Sequence, residues 1–202
     1  MATPRPTKAF ASVSLDLATV RVGDRFGRII HGRYPDPLGI GKTPSRFSDP
    51  RRLAPANRFG VLYVGSSLKV CFVEAILRDL RNGAIADYPV DERELRDCHY
   101  ATIAVAEPLR LVDLRGDGPV RMGVPSDVAR GSAQLLARQW SVAFHAHPST
   151  PDGIIYPSRL NGETNLAIYD HAIGKVTAVG TEPLIATPGF ADVLNDFKVA
   201  LA

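Results

Sequence analysis

The sequence has 202 residues, 45% of them apolar and 22% charged, with a net charge of +3. This suits one domain with a packed core and excludes a disordered chain or a second comfortable domain. No apolar run approaches the length of a membrane span, so no membrane contact is expected. The charge is uneven: residues 1–60 hold 11 Lys/Arg against 4 Asp/Glu, and residues 61–202 hold 13 against 17. Arginine dominates the basic part, as Arg21, Arg25, Arg28, Arg33, Arg46, Arg51, Arg52 and Arg58. Most of these read as a solvated basic face. A few placed in a cleft would suit two-pronged capture of phosphate or carboxylate. The acidic remainder argues against a broad basic footprint, so no direct nucleic-acid binding is expected.

Residues 1–20 read as a loose lead-in with a helical turn or two, and residues 21–202 as the domain. Asp16 interrupts the apolar stretch before it could serve as a signal-peptide core. A short strand is expected at 26–31. Residues 35–58, rich in Pro, Gly and Arg, read as a long ordered loop, and such a loop inside a compact domain is usually functional. A buried strand follows at 60–65, then a helix capped by Ser66 or Ser67 and running to about 82. A polar helix is expected at 91–97, strands at about 100–106 and 109–113, and a helix at about 126–145. Residues 152–160 and 164–170 form two strands joined through Asn161-Gly162, a strong hairpin-turn signal. A strand over 175–185 and a helix over 189–202 complete an α+β fold, a single compact domain with a short-stranded mixed sheet flanked by helices. Cys71 and Cys98 lie in apolar surroundings outside any CxxC pair and read as reduced core residues of a cytoplasmic protein.

Glu74 is the most informative residue. It is the only charge between Lys69 and Arg78, in a helix apolar on all sides, and such a helix is expected to be buried. A buried carboxylate needs a partner or a polar cleft. A core Glu–Arg pair and a site carboxylate satisfy that equally. Ser158 and Arg159 stand at a strand end. No GxSxG elbow surrounds Ser158, so it suits hydrogen bonding better than nucleophilic attack. The run 38–44, LGIGKTP, imitates a phosphate-binding loop, but Asp36 stands where a glycine is needed and Pro44 forbids the following helix. His145 and His147 lack a partner at metal-ligand spacing, so no metal is expected. A helix end suits them better.

These segments together resemble the RES-domain family, named for an Arg, a Glu and a Ser. The resemblance runs through GRIIHGRYPDPLGIG, SRFSDP, FGVLYVGSSLKVCFVEAILRDL, LRLVDLRG, RQWSVAFHAHP, DGIIYPSRL and NLAIYD. It implies a fold like that of ADP-ribosyltransferases. It also implies the toxin half of a bacterial toxin–antitoxin pair, cytoplasmic and paired with an Xre-like helix-turn-helix antitoxin in a possible hetero-oligomer. The implied activity is NAD depletion by hydrolysis or phosphorolysis of the nicotinamide–ribose bond, with NAD as substrate and no cofactor. By position, the resemblance implies Arg28, Glu74 and Ser158 as catalytic residues. It places Arg46, Tyr63, Arg33, Tyr34, Phe47 and Arg159 at the substrate. Many members read Gly-Gly-Arg-Trp-Asn around the second arginine, where this chain has Pro44-Ser45-Arg46-Phe47-Ser48. Transfer of ADP-ribose to a macromolecule and a non-catalytic nucleotide-binding module are the alternative functions.

Overall fold

The structure is a computed structural model and describes residues 5–202 apart from 79, 81, 82 and 84. Ten strands occur among these residues: β1 Leu17–Val20, β2 Arg25–His31, β3 Val61–Gly65, β4 Tyr88–Val90, β5 Cys98–Val105, β6 Leu109–Asp113, β7 Gly153–Pro157, β8 Thr164–Tyr169, β9 Val176–Pro183 and β10 Val199–Leu201. The helices are α1 Leu68–Phe72, α2 Glu92–Arg96, α3 Gly118–Met122, α4 Asp127–Arg130, α5 Gln134–His145 and α6 Phe190–Asp196. An eight-stranded sheet runs in the order β1-β6-β7-β8-β3-β2-β5-β9, and β4 and β10 form a separate pair. Within the large sheet β6 and β7 are parallel, while the other neighbours are antiparallel. The parallel crossover carries α3, α4 and α5.

The middle strands are buried on both faces, and their alternation divides two cores. In β7 and β8, Ile154, Ala167 and Tyr169 face a core that holds Phe10, Trp140 and Phe144. Ile155, Leu166 and Ile168 face the opposite core, with Leu62, Val64, Ile103 and Leu111. A third cluster joins Phe72, Val73 and Leu77 to Leu95, Leu184, Phe190 and Val193. The single-domain α+β architecture is as the sequence predicts. No helix among the described residues is long and apolar enough to cross a membrane.

Four expectations need correction. The lead-in is not loose: Phe10 is buried in a core, and β1 pairs with β6 from Leu17↔Val112 to Val20↔Leu109. The helix expected over 126–145 is two helices, because Gly131 adopts an extended conformation at the end of α4. The expected final helix stops at Asp196. Lys198 turns the chain at φ 51°, and β10 then pairs in parallel with β4. Tertiary pairing here overrides a local helical pattern. Finally, Ser67 caps α1 by accepting the Val70 N–H at 3.1 Å, but α1 ends at Phe72 and gives way to one π turn, Val73–Leu77. The expected helix end near 82 lies outside the described residues.

Candidate functional site

The sheet has a weak seam. β2 and β3 are joined through one residue pair, Gly27↔Gly65, whereas β2 pairs with β5 over seven positions and β3 with β8 over five. A cleft of about 380 Å³ opens at this seam, lined by Gly27, Arg28 and Ile29 from β2 and Tyr63, Val64 and Gly65 from β3. Both glycines at the crossing are needed for space. A Cβ on Gly27 would lie 2.0 Å from Tyr100 Oη, and one on Gly65 would lie 2.5 Å from Val70 Cγ1. A side chain at either position would therefore force the Tyr100 ring or the Val70 side chain to shift.

The π turn stands over this seam. The Arg78 N–H donates to the Val73 carbonyl at 2.7 Å, five residues back, and Arg78 ends the turn at φ 46°. Single π turns recur at functional sites. Here Glu74, Ala75 and Arg78 all line the cleft. Of the two settings left open by the sequence, Glu74 therefore takes the polar cleft and not a core Glu–Arg pair. Val70, Val73 and Leu77 are buried, while Glu74 is exposed on the side that overlooks the cleft. Two side chains fix it. Ser158 Oγ donates to Glu74 Oε1 at 2.7 Å, and Asn165 Nδ2 donates to the same oxygen at 3.1 Å. Both donors are rigidly held. Ser158 and Asn165 are 2% and 5% exposed, and the Leu160 N–H donates to Ser158 Oγ at 3.1 Å.

Four arginines share the cleft with this one carboxylate: Arg28, Arg46, Arg78 and Arg159. Arg28 and Arg46 also order the long loop. Arg28 Nη1 donates to the carbonyls of Pro37 at 2.9 Å and Gly39 at 2.8 Å. Burial lowers the Arg28 pKa, and Asp36 opposes the shift. Arg46 Nη1 donates to the Gly131 carbonyl at 2.8 Å, which ties the loop to the break between α4 and α5. Arg138 Nε reaches the Ser45 carbonyl at 2.8 Å from α5. Tyr63 completes the anchoring. Its hydroxyl accepts the Phe47 N–H at 2.8 Å and meets Ser45 Oγ at 2.9 Å, and burial pushes its pKa up to about 12.

The sequence-predicted residues separate into three groups. Arg28, Arg46, Tyr63, Glu74 and Arg159 come together in the cleft. Ser158 is not part of the cleft wall, and its hydroxyl donates to Glu74 Oε1. Phe47, Arg33 and Tyr34 are absent from the cleft wall. Phe47 is 0% exposed and packs edge-on against Tyr156 at 4.8 Å. Burial of such a ring contributes about 1.5–3 kcal/mol to the fold, which explains an aromatic after Arg46 without a substrate. Arg33 folds back toward His31, and Tyr34 is 72% exposed beyond β2.

Asn165, Arg78, Gln134 and Tyr156 also line the cleft and were not singled out from the sequence. Asn165 had a readable signal, as a lone amide in an otherwise apolar strand. Arg78 had none, because a tertiary turn exposes it to the cleft. Cys71 lines the cleft as well, but burial pushes its thiol up to about 12, leaving a poor nucleophile. His145 ends α5 as expected, and burial, with neighbouring His171, lowers its pKa.

The model of the RES domain matches residues 21–187. A probable toxin, y4kH, from Sinorhizobium fredii is 39% identical over 126 residues, which are 62% of this chain and 99% of that protein. A chain in the crystal structure of the M. tuberculosis MbcT–MbcA toxin–antitoxin complex superposes with a TM-score of 0.59. It is 18% identical, and the match covers 87% of this chain and 91% of that one. At that identity the superposition establishes the fold. The family match takes in the seam, the π turn, Glu74 and its two donors, and on it the chain belongs to the RES domain family.

Proposed function

We propose that this protein is a toxin that cleaves the nicotinamide–ribose bond of NAD and is held in check by an antitoxin. The observation that carries the reading is one braced carboxylate, Glu74, in a cleft with four arginines. The excess of positive charge suits a ligand bearing a diphosphate. A single fixed carboxylate suits a reaction that builds positive charge at one carbon. NAD has both features. Its nicotinamide leaves as a neutral base: the bond from ribose C1′ to the ring nitrogen breaks, and its electron pair stays with the nitrogen. No general acid is needed. The ribose ring takes up positive charge, and Glu74 stabilises it as carboxylates do in glycoside hydrolysis. Water or phosphate then adds at C1′, and an attacking water passes its proton to Glu74 or to solvent.

Ser158 and Asn165 are positioning residues in this scheme. They hold Oε1, so that little reorganisation is needed as charge develops. Arg46, Arg78 and Arg159 bind the diphosphate. Arg28 contributes through the edge of its guanidinium left open by the Pro37 and Gly39 carbonyls. A protein that consumes a central nucleotide must be silenced at rest. The probable-toxin relative and the toxin–antitoxin complex support a protein antitoxin as partner; covering the cleft is the simplest way for it to silence the protein, and the family resemblance supplies an Xre-like helix-turn-helix protein as its type.

Incubation of purified protein with NAD, with and without phosphate, tests the reading. Nicotinamide should be released with either ADP-ribose or its phosphorylated form. Label attached to protein would move the activity to ADP-ribosyl transfer. Undiminished NAD at stoichiometric protein would refute both.

A further inference from the structure

We propose that His145, Asp170 and His171 bind one divalent transition-metal ion of the zinc type, at a site separate from the Glu74 cleft. Among the described residues these three can each offer one donor atom, all within 4.8 Å of one another. They come from two elements. His145 is the last residue of α5, and Asp170 and His171 open the 3-10 turn Asp170–Lys175 that follows β8. They line an indentation of about 310 Å³ that shares no lining residue with the cleft. The twenty-four residues between His145 and Asp170 hide the group from any sequence motif.

The donors are oriented in a manner that suits metal binding. His145 Nε2 lies 3.8 Å from Asp170 Oδ1. Two ligands of a tetrahedral zinc sit about 3.4 Å apart, given bonds near 2.1 Å, so this pair has only a few tenths of an ångström to close. Asp170 is fixed from behind, because its Oδ2 accepts the Gly60 N–H at 2.8 Å. His171 Nε2 lies 3.2 Å from the Pro151 carbonyl. A carbonyl only accepts, which puts the proton on Nε2 and leaves the Nδ1 lone pair available. A backbone carbonyl that accepts from the far ring nitrogen is the usual support of a metal-bound histidine. His171 is exposed at the rim of the indentation. His145 is held by stacking on Phe59, with centroids 4.3 Å apart and planes at 11°.

The local charge permits a cation. The facing cations are Arg51 and Arg58. Arg51 is neutralised by a two-pronged pair with Asp49, and Arg58 Nε is turned to the Leu53 carbonyl at 2.9 Å. Two imidazoles and one carboxylate, without a thiolate, suit zinc, nickel or cobalt more than calcium or magnesium. Solvent water would fill the remaining positions. Bound metal would join the last residue of α5, whose first residue Gln134 lines the cleft, to the turn after β8, which carries Asn165. It would thus brace two walls of the cleft without touching substrate.

The test uses the full chain without a histidine tag. Titration with zinc alone, followed by calorimetry, should show one saturable site, and cobalt should give visible absorption bands of a low-coordinate complex. Melting temperature should rise by roughly 5–10 °C at a hundredfold excess over the dissociation constant. His171→Ala removes an exposed ligand, and Asp170→Asn retains an acceptor for the Gly60 N–H. Each should weaken zinc at least about tenfold while the metal-free melting temperature stays near that of the parent. Absence of saturable zinc binding, or equal affinity in the parent and both variants, overturns the site.

Discussion

Glu74→Gln separates a charge that acts in the reaction from a side chain that merely fills the seam. The amide keeps the shape and keeps an oxygen able to accept from Ser158 Oγ and Asn165 Nδ2, now 2.7 and 3.1 Å from Oε1. What changes is the charge. A hydrogen bond to a charged acceptor contributes about 1.5–3 kcal/mol and a neutral one about 0.5–1.5 kcal/mol. Two such bonds could therefore lose about 2–3 kcal/mol. Glu74 is exposed at the cleft, however, and water screens much of the difference, so the stability loss should stay under about 1 kcal/mol. That corresponds to less than roughly 4 °C in melting temperature for a chain of this size. The rate should fall far more. Removing one preorganised electrostatic contact costs about 2.7–4 kcal/mol, or 100- to 1,000-fold. Single-turnover release of nicotinamide, with NAD binding and melting measured on the same preparation, reads all three effects. NAD should bind as well as before or more tightly, since a negative charge near the diphosphate is gone. Ser158→Ala leaves the charge but removes one brace, and should lower the rate about tenfold at similar NAD affinity. A folded, NAD-binding Glu74→Gln protein with near-normal turnover would refute the mechanism.

Arg46→Lys keeps the charge but loses the planar fork, so NAD affinity and turnover should both fall in a folded protein; unchanged kinetics would place the diphosphate elsewhere. Gly27→Ala drives a methyl to within 2.0 Å of Tyr100 Oη and should cost about 1–3 kcal/mol. Combining it with Tyr100→Ala should recover part of that loss in a double-mutant cycle of melting data, whereas strict additivity would mean that the seam tolerates a side chain. Asp49→Asn should destabilise the fold by about 1–3 kcal/mol at pH 7, toward the lower value because Arg51 is 45% exposed. Burial alone would raise the Asp49 carboxyl, but Arg51 and the Phe59 N–H together hold it below its ordinary value. The stabilisation is therefore present above the unfolded pKa of about 3.9 and is lost as pH falls through the lower folded value. The parent and Asp49→Asn denaturation curves should converge below about pH 4, and a constant gap down to pH 2 would contradict this.

The elements that local pattern dictates were legible. β3 and β7 are continuous apolar runs, β8 becomes one from Leu166 onward, and the Asn161-Gly162 turn between the last two has Gly162 at φ 79°. Ser67 caps α1 and Asp91 caps α2 through their own side chains. Elements decided by distant partners were not. β1 exists because β6 offers an edge, and β10 because β4 does. The long loop reads correctly as ordered, but its order comes from Arg28, Tyr63 and Arg138 reaching in from elsewhere. The aromatic after Arg46 illustrates the limit. Phe47 is as good a core residue as a ligand platform, and only its burial against Tyr156 decides.

Glu74 lies exposed at the cleft although the residues around it are apolar. Its apolar neighbours imply burial, and burial would require a charged partner. Val70, Val73 and Leu77 are indeed buried, but the helix does not continue in α form beyond Phe72. One π turn, closed by the Arg78 N–H on the Val73 carbonyl, sets Glu74 and Arg78 over a seam that two glycines keep open. An unbroken α-helix over a fully paired sheet would bury the same apolar residues and leave no room for a ligand. The irregularities of β2, β3 and the helix thus coincide at the one place where a cleft is required, as expected where local rules yield to function. A member that lacks the paired glycines should have either a smaller residue at the position of Tyr100 and a displaced α1, or a closed seam and no NAD turnover.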